Sequence, residues 1–154
     1  MTWEGFWKLI ELLEGHADQR RCAELSRVLA QRPVSEITGF GERLAEALYR
    51  LDQERFGLVP VVGLSTDDDP FPQSSDVFLY SRCAVVAAGR AVYEGKFFGD
   101  PTRFSPFTST ALDGEWLLYV AQQAYEQVTG EEWNRVTRYD FESYSNPDGW
   151  PARR

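Results

Sequence analysis

SSDVFLYSRCAVVAAGRAVYEGKFFGDP, residues 74–101, is the stretch that decides the class of fold. Within it Phe78, Leu79, Arg82, Val85, Val86, Gly89, Val92, Tyr93 and Phe97 recur at intervals of three and four, the period of a broad helical face. Ser74 or Ser75 is placed to cap the start and Asp76 falls in the first turn, where a carboxylate suits the helix dipole. Gly99, Asp100 and Pro101 give a stop. The pattern therefore predicts a long central helix over residues 75–98, about 35 Å long at ~1.5 Å per residue, against which the rest of the chain packs.

On the N-terminal side of this stretch, residues 57–73 read as an irregular loop. GLVPVVG is a short apolar run broken by proline, and LSTDDDPFPQ is polar, acidic and proline-containing. Before the loop, Trp3, Phe6, Trp7, Leu9, Ile10 and Leu13 predict a first amphipathic helix ended by Gly15. Cys22, Leu25, Val28 and Leu29 mark a second, from about Asp18 to Gln31, closed by Pro33. The short connection between them predicts an antiparallel hairpin. Ile37, Phe40, Leu44, Leu48 and Leu51 mark a third helix, capped by Ser35 and running to about Phe56. Gly39 and Gly41 in its first turns predict fraying or a close approach by other backbone.

On the C-terminal side, Thr110 and Asp113 have the spacing of a capping box before a helix over residues 112–128, with Trp116, Leu117, Val120, Ala121, Ala124 and Tyr125 inward and Gly130 as its cap. Residues 131–154 form a tail with Trp133, Tyr139, Phe141, Tyr144 and Trp150, too aromatic for a solvated linker. It is expected to lie back over the helices after the Asn146-Pro147-Asp148-Gly149 turn. The whole reads as all-α: about five helices around residues 75–98, in one domain spanning 1–154, as suits a chain of 154 residues.

Composition narrows the function. A net charge of −8 disfavours a nucleic-acid partner, which calls for a basic face, and is compatible with a basic protein partner. No run of about 18 uncharged apolar residues predicts a membrane span, and the N-terminal residues lack the basic lead-in of a signal peptide, so a cytoplasmic location is expected. Cys22 and Cys83 are expected as reduced, buried thiols. With His16 as the one histidine, neither a Ser-His-Asp triad nor a histidine-based metal centre is expected within one chain. There is no P-loop, dinucleotide fingerprint, HExxH, CxxC or nucleophile elbow. Asp67, Asp68 and Asp69 lack the spacing of a calcium loop and read as a solvated acidic turn. No cofactor is expected.

The polar residues set within apolar helical faces carry more information. A buried Arg82 demands a partner, with Asp76, Glu115 and Glu142 as candidates, and an Arg82–Glu115 pair would clamp two helices. Arg90 and Tyr93, two turns on, would line a pocket mouth with Trp116 and Tyr119. Asp76, Arg82, Arg90, Tyr93, Glu115 and Trp116 are thus the candidate binding residues. The first reading is a protein-binding or regulatory accessory module beside a basic partner. The alternative is a small-molecule-binding protein or enzyme with an Arg/carboxylate pocket between the central helix and helix 112–128. A homo-oligomer joined through the aromatic first helix is a third.

Asp76-Val77-Phe78, Arg82, Gly89-Arg90, Tyr93 and Asp100-Pro101, with Phe6-Trp7-Lys8-Leu9-Ile10 at the N-terminus, resemble the bacterial domain-of-unknown-function family four-two-four-zero. The likeness covers about the first two-thirds of the chain. It implies bacterial origin and a helical fold, and supplies no activity.

Overall fold

The structure, a computed structural model, describes residues 1–95 and 100–153, and over those residues it is helical with no strand. Helix α1, Trp3–Ile10, is capped by the Thr2 hydroxyl and passes through a 3₁₀ turn, Glu11–Leu13, into a left-handed Glu14. Helix α2, Gln19–Leu29, is capped by Asp18, whose carboxylate accepts from the Arg21 N–H at 2.8 Å. Helix α3, Val34–Leu51, begins directly after Pro33, so Ser35 is not its cap. Its first turns do not fray against open water: Met1 packs over Gly39 and the Trp133 ring over Gly41. Instead of running on to Phe56, α3 stops at Leu51 and the chain turns into the single-turn helix α4, Glu54–Gly57.

Residues 58–73 cross the surface without helix. Gln73 pins this loop by donating its side-chain N–H to the carbonyls of Phe56 and Val59, at 2.9 and 2.8 Å.

The expected unbroken helix 75–98 is divided. Helix α5, Ser75–Ala87, is capped by the Ser74 hydroxyl and ends at Gly89, whose φ of 101° lies where an L side chain is strained. A short helix α6, Arg90–Glu94, follows it. Gly89, read from periodicity as one more face position, is the break; Phe97 and Gly99 of that reading lie outside the described residues. Although short, α5 is enclosed: nine of its thirteen residues are buried, the pattern of a helix covered on nearly every side.

Downstream, a ten-residue 3₁₀ segment, Pro101–Thr110, leads into α7, Ala111–Gly114, a second 3₁₀ segment, Glu115–Tyr119, and α8, Val120–Thr129, ended by Gly130 at φ 68°. The single helix expected over 112–128 is thus three pieces, and Thr110 makes no side-chain cap. The division brings backbone close to backbone: a Cβ on Gly114 would lie 2.1 Å from the Tyr80 carbonyl oxygen, so only glycine lets α7 seat on α5. The Ser26 hydroxyl ties α2 to α8 through the Val120 carbonyl, at 3.2 Å.

Two aromatic groups hold the core. Trp3, Phe6, Trp7, Phe40 and Tyr93 join α1, α3 and α6, with centroids 5.0 Å apart for Phe6–Trp7 and for Trp7–Tyr93. Phe56, Phe78, Phe104, Tyr144 and Trp150 join α4, α5, the first 3₁₀ segment and the C-terminal residues.

Cys22 and Cys83 are free and buried, and burial pushes both thiols up to about 12 from an ordinary 9.0. Because the folded values are raised, the stabilisation from keeping these thiols neutral is complete below pH 9 and is lost as pH rises towards 12. A second consequence is kinetic. At pH 8 the native thiols will react with a thiol reagent far more slowly than in the urea-unfolded chain, since both are buried away from the reagent and thiolate is the reactive form; stopped-flow labelling with and without urea measures this.

Candidate functional site

The C-terminal end of α3 concentrates the buried polar chemistry. The last four carbonyls of a helix have no intrahelical partner, and here each finds one elsewhere. Asp52 N–H bonds back to Tyr49 at 3.1 Å in a tightened final turn, which leaves the Leu48 carbonyl to accept from Arg82 Nη1 at 2.9 Å. Tyr49 also accepts from the Asn146 side chain, Arg50 from the Gln53 side chain, and Leu51 from the Gln53 N–H. One turn earlier, the Tyr93 hydroxyl donates to the Ala47 carbonyl at 2.9 Å, and burial raises its phenol above the ordinary range.

Arg82 is 0% exposed. It is not paired with Glu115. Its Nη2 donates to the Phe141 carbonyl and the Ser143 hydroxyl, both at 3.0 Å, and its guanidinium lies 4.7 Å over the Phe78 ring. Burial draws the guanidinium below its ordinary value, and the Asp52 charge is the largest influence opposing that. Arg82 is therefore a tie between α5, the end of α3 and the C-terminal segment.

Asp52 is the residue that sequence reasoning missed. It is also 0% exposed, and a carboxylate at a helix C-terminus meets the unfavourable end of the dipole. Three N–H donors from residues 144–150 compensate, because the one proton of the nearby Ser145 hydroxyl goes to the Asp140 carbonyl at 2.6 Å. The Tyr144 N–H at 3.0 Å and the Trp150 indole N–H at 2.8 Å reach Oδ1, while the Asn146 N–H at 2.9 Å reaches Oδ2. The available signal was its position one step beyond Leu51, at the end of an apolar stripe.

The remaining expected site residues separate into two places. Arg90 and Tyr93 do not meet Trp116 and Tyr119; they line a hollow of about 90 Å³ with Trp3, Trp7, Arg50 and Glu94, where Arg90 is paired to Glu94 at 2.9 Å. Trp116 packs half-buried against the core. Asp76 borders a larger cleft of about 440 Å³. Its floor is apolar, from Leu44 and Ala45 on α3, Leu79 on α5 and Ala121 on α8. Tyr80, Tyr119, Trp133 and Phe141 supply rings, and Asp76, Glu142 and Arg135 supply charge. Glu115 stands beside this mouth: it accepts from the Tyr119 hydroxyl at 2.9 Å. Burial, then the Glu115 and Asp76 carboxylates, push the Tyr80 phenol up to about 12. Three carboxylates thus bias the mouth towards a cation, against one guanidinium.

A wider hollow of about 500 Å³ runs past His16 and Arg21. Its cation is already engaged by Asp18 and by Glu14 at 3.5 Å. Asp67, Asp68 and Asp69 are exposed, and among the described residues no group of three or more His, Cys, Asp or Glu side chains is arranged to hold a metal ion. No described helix is long and apolar enough to cross a membrane.

Residues 1–127 match the family model described as "Protein of unknown function (DUF4240)", and the chain belongs to that family. No curated protein and no solved structure matches it. The matched region holds Asp52, Arg82, Asp76 and Glu115; the segment that covers Asp52 and supplies Trp133, Phe141 and Glu142 to the cleft follows it.

Proposed function

We propose that this member of the family is a binding protein whose 440 Å³ cleft receives a cationic side chain presented by a basic protein partner. The observation that carries the reading is convergence. Asp76 from α5 and Glu142 from the C-terminal segment line one ring-lined cleft with an apolar floor, and Glu115 stands beside it, bonded to Tyr119 and close to Tyr80. An alkyl stem suits the floor, and a guanidinium or ammonium suits rings and carboxylates at the mouth. The net charge of −8 would steer a basic partner towards it. A cytoplasmic setting belongs to the same proposal, and the two free buried cysteines accord with it.

The alternative, an Arg/carboxylate pocket between the central helix and helix 112–128, loses Arg82, which is enclosed, while Asp76 borders the cleft. The test uses an arginine-rich peptide and its citrulline counterpart, equal in shape and lacking the charge, titrated against the full chain by calorimetry at low salt. The arginine peptide should bind, weaken as salt rises, and lose about tenfold in affinity when Asp76→Asn and Glu142→Gln are combined. Equal binding of the citrulline peptide, or no binding of either, rejects the reading. Binding of a free small cation with no gain from the peptide would favour a small-molecule site instead.

A further inference from the structure

We infer that the groove between α3, α4 and α5 is a peptide-recognition site, filled by the chain's own residues 139–150, and that a separate peptide of the same chemistry, a tight turn followed by tryptophan, occupies it in trans. This inference does not rest on the cleft reading.

The contacts that hold the segment are those by which a groove reads a peptide. Asp52 accepts from the backbone N–H groups of Tyr144 and Asn146, and Arg82 donates to the Phe141 carbonyl. The Glu54 N–H donates to the Gly149 carbonyl at 2.8 Å, and the Asn146 side chain reaches the Tyr49 carbonyl at 3.2 Å. Selectivity sits in one side chain. The Trp150 indole, 4% exposed, packs 5.9 Å from the Phe78 ring, edge-on to Tyr144, and its N–H is spent on Asp52.

A groove built this way demands an occupant. Left empty, it would hold a carboxylate and a guanidinium with most of their partners gone, an unfavourable state in a largely apolar surround. The occupant does not use all that is offered either: Arg82 Nε, buried, has no hydrogen-bond partner.

The connection to the body is what an exchangeable segment needs. After the left-handed Gly130, residues 131, 132 and 134–136 are exposed, with Val136 at 96%. A tether of this kind keeps the segment at high effective concentration and so keeps it in place; without the tether, occupancy becomes a bimolecular equilibrium.

The experiment starts from the full chain with a specific protease sequence inserted between Asn134 and Arg135. After cleavage the excised segment should co-elute with the helical body on size exclusion and leave on dilution. A fluorescent synthetic peptide of residues 139–153 should then take its place, read as a rise in anisotropy. The same peptide carrying Trp150→Ala should bind at least about tenfold more weakly, as loss of a buried aromatic anchor does. A body that unfolds on cleavage and refolds on addition of the peptide also supports the site. Three results overturn it: loss of the segment from a folded body that does not take up peptide, a retained segment that never exchanges against excess peptide, or an unfolded body that the peptide does not restore.

Discussion

Asp52→Ala will lower the unfolding free energy by about 3–5 kcal/mol, the range for removing one member of a buried charged constellation while its partners stay behind. The truncation strands three donors, from Tyr144, Asn146 and Trp150, and takes away the negative charge that most offsets the burial of Arg82. For a chain of this size the melting temperature should fall by roughly 10 °C. Trp150 reports the local event, because its indole N–H loses its acceptor and its emission should move to the red. Asp52→Asn separates charge from shape: one oxygen survives, but an amide NH₂ now faces donors, so about 2 kcal/mol should still be lost. Asp76→Ala, at an exposed position, should stay within about 0.5 kcal/mol of the parent. Urea titrations of the three variants give the comparison, and an Asp52→Ala chain as stable as the parent would mean that the C-terminal segment is held by its aromatic rings alone.

The sequence made the helical class plain, because a period of three to four in apolar residues is imposed by burial itself and survives local detail. It was less informative about where helices stop. Gly89 falls on the apolar face of residues 75–98 and so passed for a core position, whereas its backbone conformation, invisible to periodicity, divides the helix. The same limit applied at Gly114, where the cause is a carbonyl from another helix. The site was legible in halves. That Arg82 is buried could be read from its neighbours, but its acceptors could not, since two of the three are backbone carbonyls that any residue carries. Asp52 is bound by donors more than ninety positions away, and nothing in its own neighbourhood announces them. Asp76 and Glu115 were expected as partners for Arg82; instead Asp76 borders a cleft, with Glu115 beside it, that depends on Trp133 and Phe141 from a segment whose path only the fold determines.

Arg82→Met is expected to be as damaging as loss of Asp52, about 4 kcal/mol, even though methionine fits an apolar surround. The size of the effect follows from what is left behind. The Leu48 and Phe141 carbonyls and the Ser143 hydroxyl lose their donor, and Asp52 remains charged beside them. Arg82→Lys should recover only part of this, with about 2 kcal/mol still lost, because a single ammonium cannot span acceptors on α3 and on the C-terminal segment as a planar fork does. The informative variant is the double one. If Asp52 and Arg82 stabilise each other through space as well as through the segment they share, Asp52→Asn with Arg82→Met will cost at least about 1 kcal/mol less than the sum of the two single changes. Strict additivity in a urea double-mutant cycle would instead make them two independent anchors of residues 139–150, each satisfied by its own hydrogen bonds. Should either single variant fail to fold, the cycle can be run with Arg82→Lys and Asp52→Asn, which retain most of the volume and at least one hydrogen bond apiece.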